Sequence, residues 1–326
     1  MNDGARLRYG LTLPQRGALF GVLTTQQLFD LARRADAEPL FDSVWAGDSL
    51  YSKPRPDSLT LLGGLATITS RVKLGVGCMA SFPVRDPIVF AYQWATLDWM
   101  SGGRMLLAVC TGIIAGGASQ REGKPWGITD GQRAHRLAEN IDVCRTLWSG
   151  ENVGFEGEFT NFEEFNVQPR PVQSPCPIWI AANPRLHQPK MVEASLRRIA
   201  QKADGWMSAQ VTPGSFGELW RRLVPALQEA GRDPATFPNM EYHNININED
   251  RQAAYEESKR FLDLYYGPVF SEEMVRAWTA LGSPEECIEH LRTLRAAGAK
   301  SVALRATAWD QDTQYRRMVE EVLPYV

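Results

Sequence analysis

The sequence predicts a single α/β domain, a (β/α)8 TIM barrel that spans residues 1–326. Segments typical of strands and of amphipathic helices alternate along the whole chain, eight such pairs can be counted, and no low-complexity linker separates the two halves. Eight units favour a closed barrel over an open, doubly wound sheet. The open sheet stays as the alternative, because the sixth and seventh strands are only weakly marked.

Each predicted strand is a short apolar run bounded by polar residues, glycine or proline. The strands are expected at 6–13, 42–46, 72–78, 104–110, 177–181, 205–209, 240–247 and 301–306. Helix starts are clearest at Thr24 and Ser283, which head capping boxes, and at Asp86, which precedes a proline. Pro225 is expected to kink or break the sixth helix.

Two further features extend the plain barrel. Residues 152–168 look like an inserted hairpin after the fourth helix, with Gly157 at its turn. The segments 112–128 and 267–282 are expected to be extended βα loops that set substrate specificity, although they carry no decodable motif.

Charge and composition exclude several classes of protein. Lys and Arg number 35 against 38 Asp and Glu, so the net charge of −3 argues against nucleic-acid binding. No apolar run approaches the roughly 18 residues of a membrane span, and the amino terminus shows no export signal. Five widely spaced cysteines without a CxxC pair argue against a disulfide framework. A cytoplasmic protein that binds neither nucleic acid nor membrane is expected.

Patterns that resemble cofactor-binding or metal-binding motifs do not meet the requirements of those motifs. The spacing Gly75-x-Gly77-x-x-Ala80 imitates a dinucleotide fingerprint, but the helix that must follow at once begins only at Asp86. A close-packed barrel strand is therefore the better interpretation. The four histidines have no paired ligand spacing, so no metal site is expected.

Reactive groups in such a barrel lie where strands end and βα loops begin. Asp48 is the best-placed carboxylate, either as a base or hydrogen-bond acceptor in a pocket or as a loop cap. Cys110 ends an apolar strand and by itself is more typical of a small buried hydrophobe. Lys53, Arg55 and Arg85 could steer an anionic ligand, although a solvated loop is the default for such residues.

A longer pattern resembles one known family. Residues 73–79, 83–87, 95–104 and 108–112 resemble the bacterial luciferase-like flavin monooxygenases, including the signature LD-x-x-S-x-GR that ends at Arg104. Weaker matches continue to residues 282–286, so the resemblance spans most of the chain.

This resemblance implies a barrel that binds FMN, or in a sister branch the deazaflavin F420, at its carboxyl-terminal mouth. It implies a non-proline cis peptide or bulge behind the ring at Cys78-Met79 or a neighbour, and a phosphate site in the lengthened loop after strand five. Asp48 would orient or deprotonate the substrate, while Cys110 and Met79 would pack against the ring. The full set of expected cofactor-binding residues is Gly47, Cys78, Met79, Ala80, Thr111, Asn183 and Ala194.

The function expected from this resemblance is that of a two-component monooxygenase. Reduced FMN would come from a separate flavin reductase, and O2 would oxygenate a small organic substrate inside a sheltered mouth. The first alternative is an F420-dependent reductase or dehydrogenase, although its sugar-phosphate branch resembles the chain less, since that branch's catalytic histidine would fall at Ser49. The second is a non-catalytic flavin-fold subunit that stabilises a partner. A homodimer or higher homo-oligomer is also expected.

Overall fold

Eight parallel strands form a closed ring in the computed structural model, which describes residues 6–50, 52–112 and 117–326. The ring strands are β1 Arg8–Thr12, β2 Phe41–Ala46, β3 Lys73–Met79, β4 Met105–Val109, β7 Ile178–Ala181, β8 Gly205–Ala209, β9 Asn239–Ile247 and β11 Ser301–Ala306. They follow one another around the ring in this order, β8 pairs with β9, and β11 pairs again with β1.

Helices enclose this ring. They are α1 Thr25–Ala37, α2 Ser58–Ile68, α3 Pro87–Ser101, α4 Ala118–Gly123, α5 Asp130–Ser149, α6 Pro189–Lys202, α7 Pro213–Glu229, α8 Arg251–Tyr266, α9 Glu272–Ala277, α10 Pro284–Ala296 and α11 Gln311–Arg317. The predicted capping boxes at Thr24 and Ser283 are present. The prediction of a (β/α)8 barrel is thus confirmed, because all eight expected strands form and their pairing closes the sheet.

Three local features refine the prediction. The hairpin forms from β5 Val153–Glu156 and β6 Asn161–Phe165, which pair antiparallel. Pro225 lies within α7, which continues past it to Glu229 and is not broken there. A ninth strand, β10 Thr279–Gly282, was not expected: it pairs with β9 beyond the point where β9 leaves β8. A four-residue strand that follows a helix directly carries too little periodicity to be recognised.

Strand glycines make room for large rings inside the barrel. A Cβ atom on Gly75 would approach Trp45 to 2.3 Å, and one on Gly205 would approach Trp179 to 2.5 Å. Trp45 and Trp179 lie with ring centroids 6.1 Å apart and close the barrel interior from below. The glycines of the false dinucleotide fingerprint therefore serve close packing, as the sequence indicated.

Outside the barrel, β9 presents a buried titratable cluster to α10. His243 Nε2 lies 2.9 Å from His290 Nε2, and His243 Nδ1 lies 3.8 Å from a carboxylate oxygen of Glu241. Burial lowers the pKa of His243 and raises the pKa of Glu241, which favours the neutral form of both groups. Burial, followed by the charge of Arg251, lowers the pKa of His290 to about 4.

Acidification is therefore expected to destabilise the fold through His290. Its ordinary pKa of 6.5 applies in the unfolded chain, against about 4 in the folded chain. Between these values the unfolded state binds more protons, so the free energy of unfolding falls as the pH is lowered. In His290→Gln, the free energy of unfolding should fall less between neutral pH and about pH 5. Urea denaturation at both pH values measures this difference. Glu241 is present in both proteins, so a difference between them reports on His290. The same pH dependence of the free energy of unfolding in both proteins would contradict this prediction.

Among the residues that the structure describes, no helix has both the length and the apolar character needed to cross a membrane.

Candidate functional site

Small side chains lie above large apolar ones at the carboxyl-terminal mouth of the barrel, and we call this arrangement the recess. Trp179 and Met207 belong to a hydrophobic cluster in the barrel interior. Because side chains alternate along a strand, the next inward positions towards the mouth are Ala181 on β7 and Ala209 on β8. Both alanines are half-buried. Enzymes of this fold place their substrates at this end of the barrel.

The end of β3, which β4 separates from β7, lies at another edge of this recess. A non-proline cis peptide bond joins Gly77 to Cys78, and the pairing with β4 shifts between Gly77 and Met79. The cis bond thus lies one peptide before the Cys78-Met79 pair named from the sequence. Cys78 is half-buried, whereas the Met79 side chain is fully buried in the core between barrel and helices. Met79 therefore cannot pack against a ligand in the mouth, contrary to the prediction.

Cys110 lies beside Cys78, and their thiol groups form a hydrogen bond. That bond and burial raise the pKa of the Cys110 thiol well above its ordinary value. Cys110 is therefore a neutral thiol, which suits packing against a ligand and does not suit nucleophilic attack.

Asp48 follows β2 and is bonded on both carboxylate oxygens. Its Oδ1 accepts a hydrogen bond of 2.8 Å from the Ser58 hydroxyl, and its Oδ2 accepts one of 2.8 Å from the Ser81 backbone. Arg85 lies 3.6 Å away as an ion-pair partner. These contacts tie the loops after β2 and β3 together. The geometry therefore gives Asp48 a positioning role, and the role of substrate base remains a prediction.

A buried ion pair connects three of the loops at the mouth. Arg133 near the start of α5 donates hydrogen bonds to the backbone oxygens of Ala80 and Thr111, and lies 3.8 Å from Glu122. Glu122 in turn accepts a hydrogen bond of 2.6 Å from the backbone N–H of Leu50. The half-buried Ala80 and Thr111 are thus held in place from behind.

Gly47 is held from the neighbouring strand end. The buried side-chain amide of Gln15 donates to the Gly47 carbonyl and accepts from the Gly47 N–H, both at 2.7 Å. A Cβ atom at Gly47 would come within 2.3 Å of an Arg55 guanidinium nitrogen, so a larger residue there would displace the end of that side chain.

The loop after β7 departs from the prediction. Asn183 is exposed at the strand end, where a ligand could reach it. Ala194 lies in the second turn of α6, where helix geometry commits the backbone N–H to the carbonyl four residues earlier. Pro189 supplies no N–H at the helix start, and the N–H groups of Met191 and Val192 donate to Gln188. Ala194 therefore lies outside any phosphate site in this loop.

The other side of the mouth contains a cluster that sequence analysis did not select. Arg305 on β11 is buried and donates hydrogen bonds to the Tyr266 hydroxyl at 2.9 Å and to Asn244 Oδ1 at 2.8 Å. Tyr242 on β9 donates a second hydrogen bond to Tyr266, which ends α8. The residues of this cluster come from three separate segments of the chain, so no local sequence motif indicates it.

This cluster makes Tyr266 unusually acidic for a tyrosine. Burial acts to raise the pKa of Tyr266, but Arg305, Arg55 and the hydrogen bond from Tyr242 outweigh it, so the pKa lies below its ordinary value. Burial raises the pKa of Tyr242 well above the usual range. Tyr242 therefore stays protonated as a donor, while Tyr266 is the group able to release and recover a proton.

The chain is similar to known proteins over most of its length. The model of the family described as luciferase-like monooxygenase matches residues 9–301. An F420-dependent glucose-6-phosphate dehydrogenase of Nakamurella multipartita is 28% identical over an alignment 329 positions long, which covers 91% of each chain. Further relatives that match most of the chain have the same name.

Solved structures share the fold. An F420-dependent secondary alcohol dehydrogenase, in complex with an F420-acetone adduct, superimposes with a TM-score of 0.81 at 17% identity and covers 98% of both chains. A monooxygenase from Streptomyces bottropensis superimposes with a TM-score of 0.78 at 22% identity, over 98% of this chain and 99% of that one. At these identities the likeness establishes the barrel alone.

These findings correct the expected function. The prediction of a monooxygenase that uses reduced FMN and O2 is wrong, because relatives similar over nearly the whole chain are named F420-dependent dehydrogenases. The separate flavin reductase was expected from that interpretation alone. The lower similarity to the sugar-phosphate branch that Ser49 indicated is wrong as well, since a relative named for that activity is similar over 91% of the chain.

Proposed function

The chain belongs to the luciferase-like monooxygenase family and is an oxidoreductase; from this premise we propose that it is an F420-dependent enzyme that transfers a hydride between the deazaflavin and a small organic substrate. The observation that carries the proposal is the naming of its relatives as F420-dependent dehydrogenases. When bound, F420 supplies the site that accepts or donates the hydride. Binding, orientation and proton transfer are left to the protein.

The recess fits a flat, largely apolar ring. Its floor is formed by Trp179 and Met207, and Cys78, Ala181 and Ala209 place small side chains at its edge. Such a recess favours a ligand with one broad apolar face, because each covered side chain is removed from water. Further contacts are proposed from the half-buried strand ends at Gly47, Ala80 and Thr111, and from the exposed Asn183.

Tyr266 is the proposed proton-transfer group. A hydride removed from an alcohol carbon leaves a hydroxyl proton that a base must accept, and the reverse reaction needs the same proton back. The Tyr266 oxygen accepts hydrogen bonds from Arg305 and Tyr242, which stabilise its deprotonated form. Ser49 is not available for this task, because its hydroxyl donates to Glu122 at 2.9 Å.

Cofactor choice is tested by equilibrium binding. Fluorescence titration of the purified protein should give a Kd for F420 lower than that for FMN by about tenfold or more. Oxidised F420 should then be reduced by an alcohol substrate at the same rate with and without O2. Tighter binding of FMN, or no binding of F420, would overturn the proposal.

A bulky side chain in the recess should block the cofactor. Ala181→Phe is expected to weaken F420 binding by about 100-fold, because the ring would occupy the space above Trp179. Ala194→Phe is the matched control on the exposed turn of α6 and should leave F420 binding unchanged. Equal F420 affinity of both variants and the unmodified protein would place the cofactor elsewhere.

A further inference from the structure

Three cations at the mouth are gathered around one pair of aromatic rings. Arg16 lies in the turn after β1, and Lys53 and Arg55 lie in the loop after β2. The Lys53 ammonium is 5.0 Å from the centre of the Tyr266 ring. The guanidinium carbons of Arg16 and Arg55 are 5.9 Å and 5.7 Å from the centre of the Tyr265 ring. We call Arg16, Lys53 and Arg55 the cationic cluster.

A fourth cation lies behind the same rings. The guanidinium carbon of the buried Arg305 is 4.5 Å from the centre of the Tyr265 ring and 5.1 Å from that of Tyr266. Its hydrogen bonds go to neutral or weakly acidic groups, Asn244 and Tyr266. Arg305 therefore adds positive potential to the cationic cluster without bringing a carboxylate with it.

The cationic cluster lacks counter-ions within the described part of the chain. No carboxylate there forms an ion pair with any of its three members, and the Lys53 ammonium has no hydrogen-bond acceptor among those residues. Glu122 is close enough to act on Lys53 electrostatically, but its oxygens are used by Ser49, Leu50 and Arg133. While Tyr266 is protonated, the negative charge that would balance the cluster is therefore not supplied by these residues.

Burial makes this arrangement unfavourable without a ligand. All three side chains of the cationic cluster are half-buried. Burial and the charge of Arg55 lower the pKa of Arg16, and burial with repulsion from both arginines lowers the pKa of Lys53. Like charges held together out of water are characteristic of a site that receives an anion.

The position of the cluster separates it from the expected cofactor phosphate. Asn183 follows β7, whereas the cationic cluster follows β1 and β2. In the ring, β7 is separated from β2 by β3 and β4, and from β1 by β8, β9 and β11. The two loops therefore lie on opposite sides of the mouth. An anion bound by the cluster would lie next to Tyr266, on the side proposed for the substrate.

We propose that the cationic cluster of Arg16, Lys53 and Arg55 binds the anionic group, a phosphate or carboxylate, of the substrate. This inference rests on the proposed function for the identity of F420 as the other ligand. The existence of the anion site does not depend on it. With its anionic group bound there, the substrate could extend its other end past Tyr266 into the recess. The substrate is then a small organic acid or phosphate ester with an oxidisable carbon.

The test measures inorganic phosphate binding to the full-length protein without cofactor, by isothermal titration calorimetry at low salt. Lys53→Met and Arg55→Gln should each weaken phosphate binding by about tenfold, the effect of losing one charged contact. Lys124→Met, which removes the same charge from an exposed position on a neighbouring loop, should leave it unchanged. Without phosphate, both cluster variants should melt at the same or a higher temperature, because repulsion is relieved.

Three outcomes would overturn the proposal. Phosphate binding that is lost in Lys190→Gln, at the start of α6, and kept in Lys53→Met would assign the anion to the loop after β7. A large loss of F420 affinity in Arg55→Gln would mean that the cluster holds an anionic part of the cofactor. Lower melting temperatures of the cluster variants without phosphate would give these cations a structural role. Failure to bind F420 would refute the proposed function alone, since phosphate binding is measured without cofactor.

Discussion

Replacement of Tyr266 by phenylalanine is expected to lower kcat by about 100-fold, the usual contribution of a positioned acid or base. The substitution removes the oxygen that accepts hydrogen bonds from Arg305 and Tyr242 and keeps the ring that packs beside Lys53. F420 binding should change little, because the phenylalanine ring keeps the packing of Tyr266 against the cluster that also contacts Ala209. Steady-state F420 reduction with an alcohol or aldehyde substrate, together with the Kd of F420, measures both effects.

The pH profile separates catalysis from structure. Oxidation by unmodified protein should accelerate with pH as Tyr266 loses its proton, at a pKa below the ordinary value for tyrosine. Tyr266→Phe should lack this limb. Tyr255→Phe makes the same change on α8 at a ring that packs against Arg276 outside the mouth, and should keep both the rate and the limb. A Tyr266→Phe protein with unchanged kcat would refute the assignment.

Replacement of Arg133 by methionine is expected to lower the free energy of unfolding by about 3–5 kcal/mol, the cost of breaking a buried ion pair by removing one of its members. Arg133 is 1% exposed and Glu122 is 2% exposed. The substitution also leaves the backbone oxygens of Ala80 and Thr111 without these donors. Urea denaturation measures the loss. Arg33→Met, at an exposed ion pair on α1, is the matched control and should change stability by less than about 0.5 kcal/mol.

A second substitution tests the cause of this loss. Glu122→Gln keeps an oxygen for the Leu50 N–H but removes the charge that Arg133 balances. The double variant of Arg133→Met with Glu122→Gln should therefore be more stable than Arg133→Met alone. If it is less stable, the lost backbone contacts rather than the uncompensated charge dominate. F420 binding should weaken in Arg133→Met, because Ala80 and Thr111 lose their anchor.

The correction from FMN to F420 has a physical origin. The motif that identifies the family lies in residues 73–112, which form β3, α3 and β4 and the apolar wall of the recess. Flavin and deazaflavin are both flat tricyclic rings, so small side chains at strand ends suit either ring. The motif in residues 73–112 therefore indicates the family without distinguishing the two cofactors.

Some of the expected site residues lie at the mouth in the structure, and one does not. Gly47, Cys78, Ala80 and Thr111 could be selected from sequence because a strand end in a parallel barrel must face the mouth. Met79 was placed wrongly, because the irregular pairing at Cys78 changes which side chain points inward, and a bulge of one residue reverses the alternation.

The amino-acid sequence by itself determined the barrel, its strands and the family, since periodicity and capping act over a few residues and each is recorded locally. Only the tertiary structure decided which polar groups meet. Arg305, Tyr242 and Tyr266 come from three segments, and the cationic cluster needs two more loops to gather around Tyr265. Charge and hydrogen bonding depend on distances of a few ångströms, which closure of the ring sets and which separation along the chain does not reveal.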